Sequence, residues 1–297
     1  MRRFGVFIIT VLFAASMLHA QTIDPSASGP APADPVPSTG PSIGGSVYGG
    51  GRRAPVENNA KIQMKGGEVV NIFGGNDISG STGNTGIAET NYGVIVTGGS
   101  VGNVYGGANG FYGCHGEENS NSILYTSNFD SDNEDVNLGT TTIPYISKTF
   151  VRINGGTITG SVYGGGNLAP IGHVGNNSNG SVSVKIQKGS IGTIKDGVLE
   201  GGNVFGGGNM ACVYVPVDLV VDNEISTGNF ATLNILGGVY GGNDKSGNVQ
   251  AERQDPKFSS LGDDGSGANE IPADVTYVWI KGKPTFIGGV YGAGNGA

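Results

Sequence analysis

The chain has 297 residues, 57 of them glycine, and a formal net charge of −8 at pH 7. It has no cluster of Lys and Arg, which argues against nucleic acid and anionic membrane surfaces as partners. The glycines follow no three-residue period, so a collagen triple helix is excluded. Blocks of Val, Ile and Tyr recur between them, which is not typical of a disordered linker. The composition therefore predicts a folded, acidic, glycine-rich protein.

The first 20 residues have the three parts of a secretory signal peptide. Arg2 and Arg3 provide a positive start, residues 6–18 are mostly apolar, and residues 18–20 form an acceptable cleavage site. The apolar run is shorter than the roughly 20 residues that a transmembrane helix needs. Cleavage after Ala20 would leave 14 basic and 24 acidic residues, a net charge of −10. The sequence therefore predicts export, with the mature protein peripheral to a membrane at most.

Residues 21–42 are rich in Pro, Ala and Ser and have almost no aromatic or β-branched content. This composition favours a semi-extended linker that holds the folded part away from whatever precedes it. A frayed or cleaved tail without a role is the alternative. The folded part is then expected to begin at residue 43.

Seven copies of one short motif divide residues 43–297. Each copy has an apolar β-former, then Tyr or Phe, then a pair of small residues. A recurring unit of this size predicts a solenoid-like array of stacked repeats. The aromatic positions of the seven copies are Tyr48, Phe73, Tyr105, Tyr163, Phe205, Tyr240 and Tyr291.

The repeating unit is clearest in residues 151–167. Val151 and Ile153 alternate with polar residues, which is the pattern of a strand with one buried face. The glycines at 155–156 are expected to break this strand because glycine adopts positive φ at little steric cost. Three short strands with tight corners would make one coil of a parallel β-helix, and coils stacked about 4.8 Å apart would bury the apolar face.

An asparagine follows the glycines at the end of most units. Asn tolerates the left-handed backbone conformation, and its amide can hydrogen-bond to the next Asn in a stack. We therefore expect these residues to close the same corner in every coil and to form a structural ladder. They are Asn76, Asn109, Asn167, Asn209, Asn243 and Asn295.

The aromatic position predicts a second ladder, of stacked rings. Tyr and Phe exchange freely among the seven copies, so the phenolic hydroxyl is not generally required. A structural stack is the favoured interpretation, since aromatic pairs stabilise by ~0.5–1.5 kcal/mol each. If alternation from Val162 is strict, the rings face outward and could stack on sugars or on another protein. The sequence leaves open whether the ladder faces in or out.

The spacing of the motifs is uneven, from 25 residues (Tyr48 to Phe73) to 58 residues (Tyr105 to Tyr163). Only the shortest interval fits a bare coil, so the longer intervals must contain insertions. We expect these to emerge along one edge of the solenoid and to form its binding face. The expected insertions are residues 77–91, 110–148, 168–180, 210–230 and 244–274.

The unit in residues 155–167, Gly-Gly-x-Ile-x-Gly-x-Val-Tyr-Gly-Gly-Gly-Asn, looks like the repeats of large exported surface proteins in Bacteroidales-type bacteria. More distantly, it resembles pectin-lyase-like and autotransporter-adhesin β-helices. The resemblance covers residues 43–297 and implies a right-handed parallel β-helix of about six to seven coils in a bacterial cell-surface or extracellular setting. It carries over no catalytic residue. This chain departs from the pattern in its uneven insertions and lacks a recognisable C-terminal sorting domain, so the anchoring route is left open. No polar capping element is visible after Asn295, so the repeat domain is expected to be truncated at its C-terminus, the alternative being an end that docks on another molecule.

The strand positions expected to face outward include no carboxylate, so a paired acid and base is missing there. We therefore do not expect an enzyme, and a polysaccharide lyase or hydrolase on a β-helix is the alternative. The outward positions are Gln63, Lys65, Thr97, Arg152, Asn154, Lys185, Gln187, Asn234 and Lys281.

Candidate metal ligands are sparse, and no cofactor is expected. The acidic run Asp130, Asp132, Glu134 and Asp135 is a weak Ca²⁺ candidate because it lacks the glycine and the final acid of a helix-loop-helix calcium site. His115 and His173 lie in different insertions and give no zinc spacing. Whether the two cysteines, Cys114 and Cys212, form a disulfide is left open.

Together, these features predict a secreted or surface-displayed structural or adhesin-like protein. Its insertions would bind glycans, matrix or proteins on a host or neighbouring cell. A self-associating envelope or matrix component, joined end to end through its coils, is a further alternative. The sequence does not identify the ligand or the anchoring route.

Overall fold

The computed structural model describes residues 9–10, 40–52, 56–77, 82–83, 93–110, 146–172, 180–245, 249 and 276–295. All regular structure in these ranges is β, and none of it is a helix that could cross a membrane. The strands are β1 Ile9–Thr10, β2 Ser42–Tyr48, β3 Val56–Asn59, β4 Lys61–Met64, β5 Glu68–Phe73, β6 Thr82–Gly83, β7 Gly93–Val96, β8 Ser100–Tyr105, β9 Lys148–Ile158, β10 Val162–Tyr163, β11 Ser181–Ile191, β12 Thr193–Lys195, β13 Val198–Glu200, β14 Val204–Phe205, β15 Val217–Asp222, β16 Glu224–Ser226, β17 Asn229–Phe230, β18 Leu233–Ile235, β19 Val239–Tyr240, β20 Thr276–Lys281, β21 Thr285–Phe286 and β22 Val290–Tyr291.

Sixteen strands form one large sheet in which every pairing is parallel, and equivalent residues of successive repeats lie in register. The first row of strands contains β4, β7, the starts of β9 and β11, β15 and β20. In this row Val184 pairs with both Val151 and Leu219, and Leu219 pairs with Val278. β1 also pairs with β4. It lies in the segment predicted to be a signal peptide, whose cleavage stays a prediction.

Two further rows complete each repeat. The second row contains the first parts of β2, β5 and β8, the ends of β9 and β11, and then β18 and β21. The third row holds the repeated motif, where Val162 pairs with Val104 and Val204. The predicted all-β, parallel, solenoid-like fold is confirmed.

The core is a single aliphatic cluster that runs through the repeats. Alternating Val and Ile side chains of the three rows point into it, as in β15, where buried and half-buried residues alternate. Each fully buried aliphatic side chain stabilises the fold by about 1.5–3 kcal/mol. The cluster includes Val94, Val151, Ile153, Ile158, Val162, Val184, Ile186, Val204, Leu219 and Ile235.

The glycine pair at 155–156 has the predicted positive φ, 144° and 80°. It does not end the strand, however. β9 continues through the pair, and its pairing with β11 shifts register near this point. The backbone therefore turns between the first and second rows by an irregularity within one strand.

The prediction that insertions leave each repeat at one point is wrong for two described hairpins. The hairpin β12–β13 follows the second row, and the hairpin β16–β17 follows the first. The expected insertion 210–230 is also wrong in part, because residues 217–222 are the first-row strand β15. Residues on either side of the other long intervals do stack along one edge, where Ile171 bridges to Ile146 and Val213. Most of those insertions lie outside the described residues.

Candidate functional site

All seven motif aromatics form one continuous stack. Adjacent ring centroids are 4.6–5.0 Å apart and adjacent ring planes differ by 4–16°. The stack arises because the motif residues of successive repeats are in parallel register, so each ring lies over the preceding one. The predicted aromatic ladder is therefore present along the described repeats.

The stack is a second core, separate from the aliphatic one. Phe73, Tyr105, Tyr163 and Phe205 are buried, whereas Tyr291 at one end is 50% exposed. The neighbouring Val162 belongs to the aliphatic cluster, so a motif in the middle of the stack sends one side chain into each core. The rings are accordingly packing groups in the middle of the stack, and only its ends offer a ring surface.

An amide ladder runs beside the rings, with each Asn donating to the preceding repeat. Asn109 Nδ2 donates to Asp77 Oδ1, Asn167 to Asn109, and Asn209 to Asn167, all at 2.9 Å. Asn295 Nδ2 donates to Asp244 Oδ1 at 3.1 Å. This ladder is the one predicted, but two of its rungs are aspartates.

The predicted placement of Asn76 and Asn243 in the ladder is wrong. In those two repeats the corner reads Gly-Gly-Asn-Asp, so the aspartate takes the ladder position and the asparagine lies one residue earlier. Each asparagine instead accepts a backbone N–H of the preceding repeat. Gly51 N donates to Asn76 Oδ1 at 3.0 Å, and Gly208 N donates to Asn243 Oδ1 at 2.8 Å.

An aspartate in the ladder interrupts its polarity because an ionised carboxylate only accepts hydrogen bonds. Asp77 begins the ladder and is a suitable acceptor there. Asp244 follows Asn209, and the buried Oδ1 of Asn209 has no donor among the described residues. The ladder therefore consists of two hydrogen-bonded runs that meet between Asn209 and Asp244.

We expect Asn167→Ala to lower the free energy of unfolding by about 2 kcal/mol, since it removes one bond to each neighbouring repeat. Asn295→Ala is the matched control, because Asn295 is exposed and its side chain bonds, among the described residues, only to Asp244. Urea denaturation of both variants measures the difference. Equal losses at the two positions would show that the ladder does not contribute as its hydrogen bonds suggest.

Sequence reasoning missed a second polar ladder, at the residue just before each motif. Asn103 Nδ2 donates to Asn71 Oδ1 at 3.0 Å, and Asn103 Oδ1 accepts the backbone N–H of Ser161 at 2.9 Å. Asn203 Oδ1 likewise accepts Gly238 N at 2.8 Å. The signal was available, because Ser or Asn precedes the motif in the first five copies.

The ring stack contacts a charged residue at Tyr163. Its hydroxyl donates to Asp244 Oδ2 at 3.0 Å. Burial, and then the negative charge of Asp244, raise the pKa of Tyr105 to about 12. The same two causes, with the hydrogen bond, raise the pKa of Tyr163 further.

These raised pKa values predict a loss of stability in alkali. Between pH 10 and 12 the unfolded chain releases tyrosine protons that folded Tyr105 and Tyr163 retain, so stability decreases as pH rises through this window. Each such tyrosine contributes a slope of about 1.4 kcal/mol per pH unit. Denaturation at pH 8, 10 and 11 should show the loss, and Tyr105→Phe should reduce it. A pH-independent free energy of unfolding would contradict the prediction.

The outer face of the first row carries carboxylates, which corrects the prediction that it has none. Asp218 and Asp222 lie four residues apart on the same face of β15, in register with Tyr277 and Lys281 of β20. Residues 217–222 fall within the predicted insertion 210–230, so these two carboxylates are absent from the predicted outward positions. Trp279 lies between Tyr277 and Lys281 on β20, and Lys281 Nζ is 4.2 Å from the centroid of its ring. This face therefore combines aromatic and charged groups.

Metal and disulfide chemistry is limited in the described ranges. They contain no group of three or more His, Cys, Asp or Glu residues that could hold a metal ion. The Ca²⁺ candidates at positions 130–135 lie outside these ranges, as do Cys114, His115 and His173. Cys212 is buried and disulfide-bonded.

A groove lies on the outer face of the second row, beside the hairpin β12–β13. It has a volume of about 360 Å³ and a mixed polar and aliphatic lining. Ser190, Asn234 and Thr285 form a polar row along it, one from each of three adjacent strands. Ile194, Leu236 and Ile287 supply the aliphatic part. The only predicted outward residue in this groove is Asn234.

No protein-family model, curated protein or solved structure matches the chain.

Proposed function

We propose that this chain is an exported, cell-surface scaffold of the adhesin-like type. Residues 1–20 would be its signal peptide, residues 21–42 its linker, and residues 43–297 a right-handed parallel β-helix of about six to seven coils. The insertions between repeats would bind glycans, matrix or other cells. The observation that carries the proposal is the continuous register of rings and amides through repeats of very different length.

That register supports a scaffold role for a physical reason. Each ring stacks on the rings of the preceding and following repeats, so a segment inserted between two repeats leaves the ring stack intact. The residues that flank the long intervals also stack along one edge, as Ile171 does between Ile146 and Val213. Segments placed there would be presented side by side on a stiff support.

The test is a double deletion of residues 116–144 and 250–274, each replaced by a short Gly-Ser linker. These limits keep Cys114, Asp244 and Val249, so the Tyr163–Asp244 contact and the flanking edge remain. We expect unchanged cooperative unfolding and lost binding to immobilised glycans, matrix proteins and cells. A matched control shortens the β16–β17 hairpin at residues 226–228. Full binding by the double deletion would overturn the assignment of the binding face.

A separate experiment tests whether the chain is exported. Expression in a bacterial host with a secretory pathway should yield a mature chain that begins at Gln21. A product that keeps Met1 and stays in the cytoplasm would overturn the export part of the proposal.

A second candidate, a polysaccharide lyase or hydrolase, would use Asp218 and Asp222, which share the outer face of β15. The two aspartates are four residues apart, about 13 Å at Cα, which is wider than the carboxylate pairs of glycosidases, so they do not form one acid–base pair. Lys185 lies one strand away, in register with Val220. Turnover of a polysaccharide that is lost in both Asp218→Asn and Asp222→Asn would favour this candidate over the scaffold.

A further inference from the structure

The groove beside β12–β13 combines two features that are rarely found together on a surface. Ile194 and Ile287 are large aliphatic residues that remain 63% and 67% exposed. Next to them lies the row of Ser190, Asn234 and Thr285. Exposed aliphatic surface beside ordered polar groups is typical of a binding site rather than of an ordinary solvent-facing wall.

The polar row is available to a ligand. Within the described part of the chain, Ser190, Asn234 and Thr285 make no side-chain hydrogen bonds, whereas the amides of both ladders are bonded to neighbouring repeats. Adjacent strands lie about 4.8 Å apart, so the three groups cover roughly 10 Å along the stack. A hydroxyl, an amide and a second hydroxyl can each donate and accept over that length.

We propose that this groove binds a neutral oligosaccharide. No lining residue is ionisable, so the groove offers nothing to offset the desolvation of a charged ligand. A pyranose has hydroxyl groups at its edge and C–H groups on its face, which match the polar row and the aliphatic wall. The volume of about 360 Å³ lies at the lower end of small-ligand sites.

An extended peptide fits the floor of the groove less well. Peptides commonly join a sheet through an unpaired strand edge, but β11 and β18 are paired on both sides. Across β11 and β18 the floor therefore offers side chains and not backbone groups, and the strand edge without a described partner is the far edge of β21. The proposal is also independent of the insertions, since every residue of the groove lies in the repeats or in β12.

The test uses saturation-transfer NMR on the purified chain, followed by calorimetry. The probes are trisaccharides of glucose, mannose, galactose and N-acetylglucosamine, with a galacturonic acid trisaccharide as the charged comparison. We expect at least one neutral probe to bind and the acidic probe to bind at least about tenfold more weakly. Asn234→Ala should weaken the neutral ligand by about tenfold, as expected for one or two lost hydrogen bonds.

Asn154→Ala is the matched control, because Asn154 is an exposed strand asparagine outside the groove. Thr285→Val and Ile287→Lys test the two sides of the groove with little effect on folding, which thermal unfolding checks. The proposal is overturned if no neutral probe binds at millimolar concentration, if binding survives all three groove variants, or if hydrophobic peptides bind and sugars do not. The double deletion should keep sugar binding, so this proposal and the insertion proposal can fail separately.

Discussion

Gly164→Ala is expected to lower the free energy of unfolding by about 3 kcal/mol or more, the upper range for overpacking. A Cβ at this position would collide with the carbonyl oxygen of Gly206 and would also lie 2.6 Å from a methyl carbon of Val184. Gly206 is held in the stack by its backbone N–H, which donates to the carbonyl oxygen of Tyr240. Relief would therefore require two repeats to move apart.

The control occupies the same place in the last motif. Gly292 has no atom within 4 Å of a Cβ built on it, so Gly292→Ala should change stability by no more than about 0.5 kcal/mol. Urea denaturation and circular dichroism of the two variants measure the contrast. If Gly164→Ala does not fold, Gly106→Ala, which would contact the carbonyl oxygen of Gly164, provides a second test. Similar stability of Gly164→Ala and Gly292→Ala would contradict close stacking as the reason for the motif glycines.

The architecture could be predicted because it depends on a repeated local pattern. Val162-Tyr163 and Val204-Phe205 are both followed by Gly-Gly-Gly-Asn, and in parallel register the two pairs become neighbours in space. The free exchange of Tyr and Phe predicted rings that serve mainly in packing. Two of the tyrosines add hydrogen bonds through their hydroxyls, since Tyr163 donates to Asp244 and Tyr48 is hydrogen-bonded to Asp77.

The register at the corners could not be predicted from the commonest unit. Asn76 and Asn243 match the repeat by residue type, but each is followed by an aspartate that takes the ladder position. Counting from the motif glycines, rather than searching for asparagine, would have placed Asp77 and Asp244 correctly. The distance along the chain from the glycines decides which side chain meets the ladder.

The groove was beyond sequence reasoning for a different reason. Ser190, Asn234 and Thr285 belong to three repeats and become adjacent only through strand register. The hairpin that supplies Ile194 leaves the repeat at a point where the other repeats have no insertion of this kind. Residues brought together by stacking, and not by a shared motif, leave no local signal to read.

Phe205→Ala is the second large effect expected, a loss of about 3–5 kcal/mol. Phe205 is fully buried, and its ring centroid lies 5.0 Å from those of both Tyr163 and Tyr240. Removing the ring leaves a cavity between two rings whose backbones are fixed by parallel pairing. The neighbours therefore cannot close the gap without breaking register.

Tyr291→Ala is the matched control at the exposed end of the stack, where one ring contact is lost and the site is already half open to solvent. It should cost no more than about 1 kcal/mol. Phe205→Tyr adds a second comparison, since it keeps the ring and tests whether a hydroxyl is tolerated in that fully buried position. Urea denaturation ranks the variants. If Phe205→Ala and Tyr291→Ala lose the same free energy, neither burial nor stacking on both sides sets the contribution of a ring, and the prediction is contradicted. A much larger loss at Phe205 means that the stack acts as one continuous core, in which the middle rings hold repeats on both sides.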